Sequence, residues 1–141
     1  MKISGLAGFH ILVVEDDYFI ASNIADGILG AGAMVVGPAA AVSDAMRHIE
    51  DNHIEAAILN VSLQDGLVFP VADRLHELGV PFIFLTGYDR EFLPERFSGP
   101  EAIQKPHDND ELITQLAVLL HSKVGGHHRR TVIEPPSYPR V

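Results

Sequence analysis

The chain has 141 residues, is 47% hydrophobic and 21% charged, and carries a formal net charge of -9 with no cysteine. That length bounds one domain around a single core, and the composition is that of a globular chain. The acidic balance excludes nucleic acid as the primary partner, since binding a phosphate backbone calls for clustered Lys and Arg, and the missing cysteines exclude disulfides, thiolate chemistry and cysteine–zinc sites.

Residues Met1 to Gly8 read as a loose lead-in with two glycines and one lysine, lacking an apolar core of signal-peptide length. No apolar run approaches the roughly 20 residues of a spanning helix, so a cytoplasmic, non-membrane protein is expected. The first strand is predicted over His10 to Val14. Asp16 or Asp17 then caps a helix whose apolar positions Ile20, Ile24 and Ile28 recur at helical spacing, with Gly30 and Gly32 as stop signals. A brief strand around Met34-Val35-Val36 is expected to end at Gly37-Pro38. A second helix, opened by Ser43 or a neighbour, runs through Ala45, Met46 and Ile49 and closes near Asn52. Ala56 to Asn60 is a short apolar run ending in one polar residue, which reads as a central strand buried on both faces.

The stretch Ser62-Leu63-Gln64-Asp65-Gly66 carries turn chemistry and is expected to be a loop. A third helix is predicted from about Val68 to Leu78, with Val71, Leu75 and Leu78 on one face, Pro70 in its first turn and Gly79 as its stop. The next strand spans Pro81 to Leu85. Pro94, Gly99 and Pro100 leave room only for a short or irregular helix around Glu91 to Phe97. The last strand, Ala102 to Gln104, leads into a final helix of about Asn109 to His121, striped by Leu112, Leu116, Leu119 and Leu120. From Ser122 onward Gly, His, Arg and Pro dominate, so 122–141 reads as a disordered tail. Strand and helix alternate about five times over 9–121. This predicts an α/β fold with a five-stranded parallel sheet, doubly wound and flavodoxin-like, in the order 2-1-3-4-5 with helices on both faces.

In such a sheet all strands point the same way, so the residues just past their carboxyl ends gather at one edge, where ligands bind. The strand endings then bring Glu15, Asp16, Asn60, Thr86 and Lys105 to one pocket. Glu15 and Asp16 are hard oxygen ligands of the kind magnesium takes. Thr86 offers a hydroxyl and Lys105 a mobile positive charge suited to a phosphoryl oxygen. Together they form a phosphoryl-handling arrangement that still needs a nucleophile. A carboxylate at position 60 would supply one by forming an acyl phosphate, which a carboxamide does not do. Each motif alone has a plainer reading. Asp17 is a helix cap, Lys105-Pro106 a solvated loop, Thr86-Gly87 a turn, and His127-His128 part of a solvated tail.

Taken together, Ile11-Leu12-Val13-Val14-Glu15-Asp16-Asp17, Ala57-Ile58-Leu59-Asn60-Val61, Leu85-Thr86-Gly87 and Gln104-Lys105-Pro106 resemble the CheY-like receiver domains of two-component response regulators. The resemblance covers roughly Phe9 to Leu120. It implies that Glu15, Asp16, Asn60 and the backbone carbonyl of Ser62 form the magnesium site, and that Thr86 and Lys105 are the phosphoryl-sensing pair. It also implies that Asn60 stands at the phosphoacceptor position, normally an aspartate. The switch aromatic expected three residues before the lysine is Ala102 here. Phe84-Leu85-Thr86-Gly87-Tyr88 instead looks like the FATGUY subgroup of single-domain receivers, which makes Tyr88 the switch aromatic candidate.

The departure at Asn60 leaves two explanations, a naturally degenerate receiver or an inactivated variant of a phosphorylatable one. In either case no phosphorylation at position 60 and weakened magnesium binding are expected. The reading is a stand-alone receiver, not an enzyme, acting by protein–protein contact in a phosphorelay or as an adaptor. Implied partners are a histidine kinase or phosphotransfer protein and a downstream target, with the last strand and helix as a homodimer or partner surface. A phosphoryl-hydrolysing enzyme on a related sheet ranks lower because position 60 lacks the aspartate. A nucleotide-binding module ranks last because the loops after the first and third strands lack a glycine-rich phosphate cradle.

Overall fold

The computed structural model describes residues 6–86, Pro94, Phe97, 102–104 and 109–122. The first apolar run forms β1 (His10–Val14), and the helix behind it, α1 (Tyr18–Gly30), buries Ala21, Ile24 and Ile28. Asp17 caps that helix, its carboxylate accepting from the backbone N–H groups of Phe19 and Ile20 at 3.0 and 3.1 Å. Next come β2 (Met34–Ala39), α2 (Val42–Asp51) and β3 (Ala56–Asn60). All five residues of β3 are buried, as a strand covered on both faces requires.

After β3 the chain makes a small antiparallel hairpin, β4 (Ser62–Leu63) and β5 (Gly66–Leu67), before α3 (Phe69–Glu77). The strands β6 (Phe82–Thr86) and β7 (Ala102–Gln104) and the helix α4 (Asn109–Ser122) complete the described chain. The sheet order is β2-β1-β3-β6-β7 with every pairing parallel. Counting the strands of this sheet alone, the order is the expected 2-1-3-4-5.

Strand periodicity divides the core into two layers. Leu12, Val14, Ala57, Leu59, Phe82 and Phe84 face one way and pack with Ala45 and Ile49 of α2 and Val71, Ala72 and Leu75 of α3. Ile11, Val13, Ala56, Ile58, Ile83 and Leu85 face the other way and pack with Ile24 and Ile28 of α1 and Leu112, Leu116, Leu119 and Leu120 of α4. Removing the side chain of a fully buried Ile or Leu in such a layer costs about 2–5 kcal/mol, transfer and cavity together. Phe97 also belongs to the α2/α3 layer. Its ring stacks on Phe69 at 5.7 Å and meets Phe84 edge-on at 5.4 Å. No helix among the described residues is long and apolar enough to cross a membrane.

Some local expectations are corrected. The second strand does not end at Gly37-Pro38 but continues to Ala39 past an irregularity, since Leu12 pairs with Val36 whereas Val14 pairs with Ala39. Residues Ser62 to Gly66 are not a plain loop, because Ser62 and Leu63 pair back with Leu67 and Gly66. The second helix does open at a neighbour of Ser43, as expected: it begins at Val42, with Ala41 at its cap position. Leu78 is half exposed, because it caps the end of α3 where the helical stripe has already turned away from the core. Leu6, in the lead-in, is fully buried in the α1/α4 layer.

Candidate functional site

The carboxyl ends of β1 and β3 lie side by side, with Val14 paired to Leu59. The residues just beyond each strand therefore meet at one edge. Glu15 is held there by its own backbone, whose N–H donates to the Ala39 carbonyl of β2 at 2.8 Å. Its side chain turns inward, 2% exposed, and its Oε2 accepts from the Asp17 N–H at 3.0 Å. Asn60, the last residue of β3, is paired to Leu85 of β6 and is 6% exposed. These are the two buried polar side chains among the described residues, and they touch.

The contact is made by the Asn60 carboxamide. Its Nδ2 lies 3.2 Å from Glu15 Oε2, 3.2 Å from Asp16 Oδ1 and 2.7 Å from the Ser62 carbonyl oxygen. Three acceptors around one amide atom identify that atom as the nitrogen, because an oxygen there would face only lone pairs. Two N–H bonds serve three oxygens, so one of them is shared. Bonds of this kind to ionised carboxylates are roughly twice as strong as neutral ones, and the low polarity of the surrounding strands strengthens them further.

Magnesium takes oxygen ligands in near-octahedral geometry at about 2.0–2.1 Å. Here two carboxylates and a carbonyl already converge, but on an N–H donor. As disposed, the four groups do not fit the ion, because the amide nitrogen fills the point where their oxygens meet. A carboxylate in the same place would bring a third negative group against Glu15 and Asp16. Each such unit-charge pair at about 4 Å costs about 4 kcal/mol at an effective dielectric near 20.

Glu15, Asp16, Asn60 and the Ser62 carbonyl are thus brought together. Thr86 ends β6, the strand next to β3, and is described by its backbone only. Lys105 and Tyr88 lie outside the described residues, as do the helix expected over Glu91 to Phe97 (apart from Pro94 and Phe97) and 123–141 of the tail.

Asp65 is a working residue whose sequence context signals only a turn. It sits between β4 and β5 and accepts from the backbone N–H of Val42 at 2.7 Å and of Ser43 at 3.3 Å. Those are the first donors of α2, whose own cap residue, Ala41, has no side chain to offer them. The Val42 bond leads the causes that hold the Asp65 carboxyl below its ordinary value; desolvation opposes it and the Ser43 bond adds to it. The signal was an alanine standing where a cap was needed, but the acceptor that replaces the cap lies 22 residues away from Ser43 in sequence.

No protein-family model matches the chain. The chain is 33% identical over 101 residues to the phyllosphere-induced regulator PhyR of Methylorubrum extorquens, a match covering 69% of this chain and 38% of that relative. It therefore spans well under half the length of that protein. The solution structure of SdrG from Sphingomonas melonis is similar at a TM-score of 0.70 and 36% identity, covering 83% of this chain and 98% of SdrG. A CheY-like response regulator receiver domain protein from Methanospirillum hungatei superposes at a TM-score of 0.76 over 86% of this chain and all of that one, and at 21% identity it speaks for the fold alone. With the strand order and the converging acids of the strand ends, these likenesses place the chain in the family of CheY-like response regulator receiver domains.

Proposed function

We propose that this receiver domain signals by protein–protein contact and that its acceptor position takes no phosphoryl group. The observation that carries the reading is the Asn60 carboxamide at the centre of the pocket, hydrogen-bonded to Glu15, Asp16 and the Ser62 carbonyl. An amide has neither the charge nor the nucleophilicity to form the acyl phosphate that a carboxylate there would form. The reading assigns no enzymatic reaction to the chain.

Its partners are a histidine kinase or phosphotransfer protein on one side and a downstream target on the other, with β7 and α4 as the contact surface for a target or a second copy. Support comes from SdrG, a receiver similar over nearly its whole length, and from PhyR, a regulator by name. Thr86 and Lys105 are proposed as the phosphoryl-sensing pair of a phosphorylatable relative and Tyr88 as its switch aromatic. Here no acyl phosphate forms to recruit them, so the two-state equilibrium of the domain is biased by partner binding instead.

Incubation with a radiolabelled small phosphodonor tests the reading. The native chain is expected to stay unlabelled while the Asn60→Asp variant takes up label that alkali releases, as an acyl phosphate does. Labelling of the native chain overturns the proposal, as does a folded Asn60→Asp variant that takes no label.

A further inference from the structure

We infer that the Asn60 carboxamide replaces the cation as well as the acceptor, so that the pocket is held together from within and its stability does not depend on magnesium. The inference rests on the receiver reading of the pocket and concerns what sets its resting state.

Two carboxylates and a carbonyl that converge at a strand edge repel one another unless something positive stands between them. Among the described residues Nδ2 of Asn60 takes that place, reaching Glu15 Oε2, Asp16 Oδ1 and the Ser62 carbonyl at 3.2, 3.2 and 2.7 Å. It carries the partial positive charge of an amide N–H₂ group and cannot diffuse away. The rest of the local chain fixes it in place. Asn60 ends a strand paired on both sides, Val61 donates to the Leu85 carbonyl at 3.3 Å, and Val68 closes back on the Val61 carbonyl at 2.9 Å. Asp16 and Glu15 are fixed in turn by the Asp17 cap of α1 and by the bond from Glu15 N–H to Ala39.

An incoming divalent ion must first break all three contacts and rotate the carboxamide so that its oxygen faces the acids. It then finds two carboxylates rather than three. Affinity is therefore expected to be at least about tenfold below that of Asn60→Asp, the loss of one close charge pair being of that order or greater. The same reasoning gives opposite stability behaviour for the two chains. Native protein is complete without metal. Asn60→Asp sets three carboxylates against one another and needs the ion to offset them.

Thermal unfolding of the native chain, Asn60→Asp and Asn60→Ala, each in chelator and in millimolar magnesium matched for ionic strength with sodium chloride, tests the inference. The native Tm is expected to be the same in both conditions. Asn60→Asp is expected to melt several degrees lower in chelator and to recover with magnesium, as mass action requires of a ligand that binds only the folded state. Asn60→Ala, which removes the donor without adding charge, is expected to lose stability in chelator and to regain part of it with magnesium. A native Tm that climbs with magnesium as much as that of Asn60→Asp overturns the inference, as does an Asn60→Ala chain as stable in chelator as the native one. Should Asn60→Asp not fold in chelator, the alanine variant still decides. Phosphodonor labelling of Asn60→Asp is a separate readout. A labelled variant beside a magnesium-responsive native chain keeps the receiver reading and rejects this one.

Discussion

An asparagine and an aspartate have almost the same shape, so the exchange at position 60 leaves packing alone and changes only which atoms can donate. That one difference turns a set of acids in need of a counter-charge into a set already hydrogen-bonded, with Nδ2 facing Glu15, Asp16 and the Ser62 carbonyl. Asp65 acts at the same scale. Its carboxylate serves the two N–H groups of α2 that Ala41 leaves without an acceptor. Asp65→Ala is therefore expected to lower the Tm by a few degrees and Asp65→Asn by less, since the amide oxygen still accepts. The pH dependence has a definite sign. The Asp65 carboxyl is held below its ordinary value of 3.8, so its contribution is complete above that pH and fades as the pH falls through the lower, folded value. Comparison of the acid limbs of the native chain and Asp65→Asn measures it, and superimposable limbs would count against the cap.

Among the elements, β2 is the one whose irregularity serves the pocket. Between Leu12–Val36 and Val14–Ala39 the partner strand spends one residue more than β1, and this brings the Ala39 carbonyl to the Glu15 N–H at 2.8 Å. Gly37 makes the detour at φ +96°, a conformation that L side chains rarely adopt. A Cβ placed there would stand 2.8 Å from the Ala39 nitrogen and 2.9 Å from the Val13 carbonyl oxygen, both backbone atoms that cannot swing aside. Gly37→Ala is expected to cost at least about 1–3 kcal/mol. It is also expected to loosen Glu15 with it, visible as faster amide exchange at Glu15 than an equally destabilising core substitution produces. The strand itself was legible in Met34-Val35-Val36. Its continuation was not, because Gly-Pro is a stop signal wherever local chemistry alone decides, and here pairing with β1 overrides it. Leu78 misled for the opposite reason: its spacing fits the α3 stripe, but the helix ends beneath it.

At the scale of the molecule, the alternation of apolar runs and helical stripes argued a sheet covered on both faces, and right-handed crossovers with short loops favoured the flavodoxin-like order, both of which the structure has. The convergence of Glu15, Asp16 and Asn60 came from that order alone. The direction of the Asn60 amide did not, since it depends on where the side-chain oxygens of Glu15 and Asp16, 45 and 44 residues away, and the nearby Ser62 carbonyl are aimed. The opposite edge of the sheet was equally hidden. There Glu55, just ahead of β3, clasps the start of β1. Its Oε1 accepts from the His10 N–H at 2.8 Å and lies 3.2 Å from His10 Nδ1, its Oε2 lies 3.8 Å from His53 Nε2, and its own N–H donates to the His10 carbonyl at 2.9 Å. Desolvation alone would push the Glu55 carboxyl up, but the two His10 bonds and the charges of His53 and His10 together hold it below the ordinary 4.5. A carboxyl whose folded pKa is depressed stabilises the fold above its unfolded value and stops doing so as pH falls through the folded one. Native stability should therefore hold from neutral pH down to about 4.5 as far as this group is concerned, then fall. Glu55→Gln keeps an acceptor for the His10 N–H but does not titrate. It is expected to be less stable than native at neutral pH and to converge on it in acid, as urea midpoints across that range would record; a constant offset between the two chains at every pH would mean that the clasp stabilises by shape and not by charge.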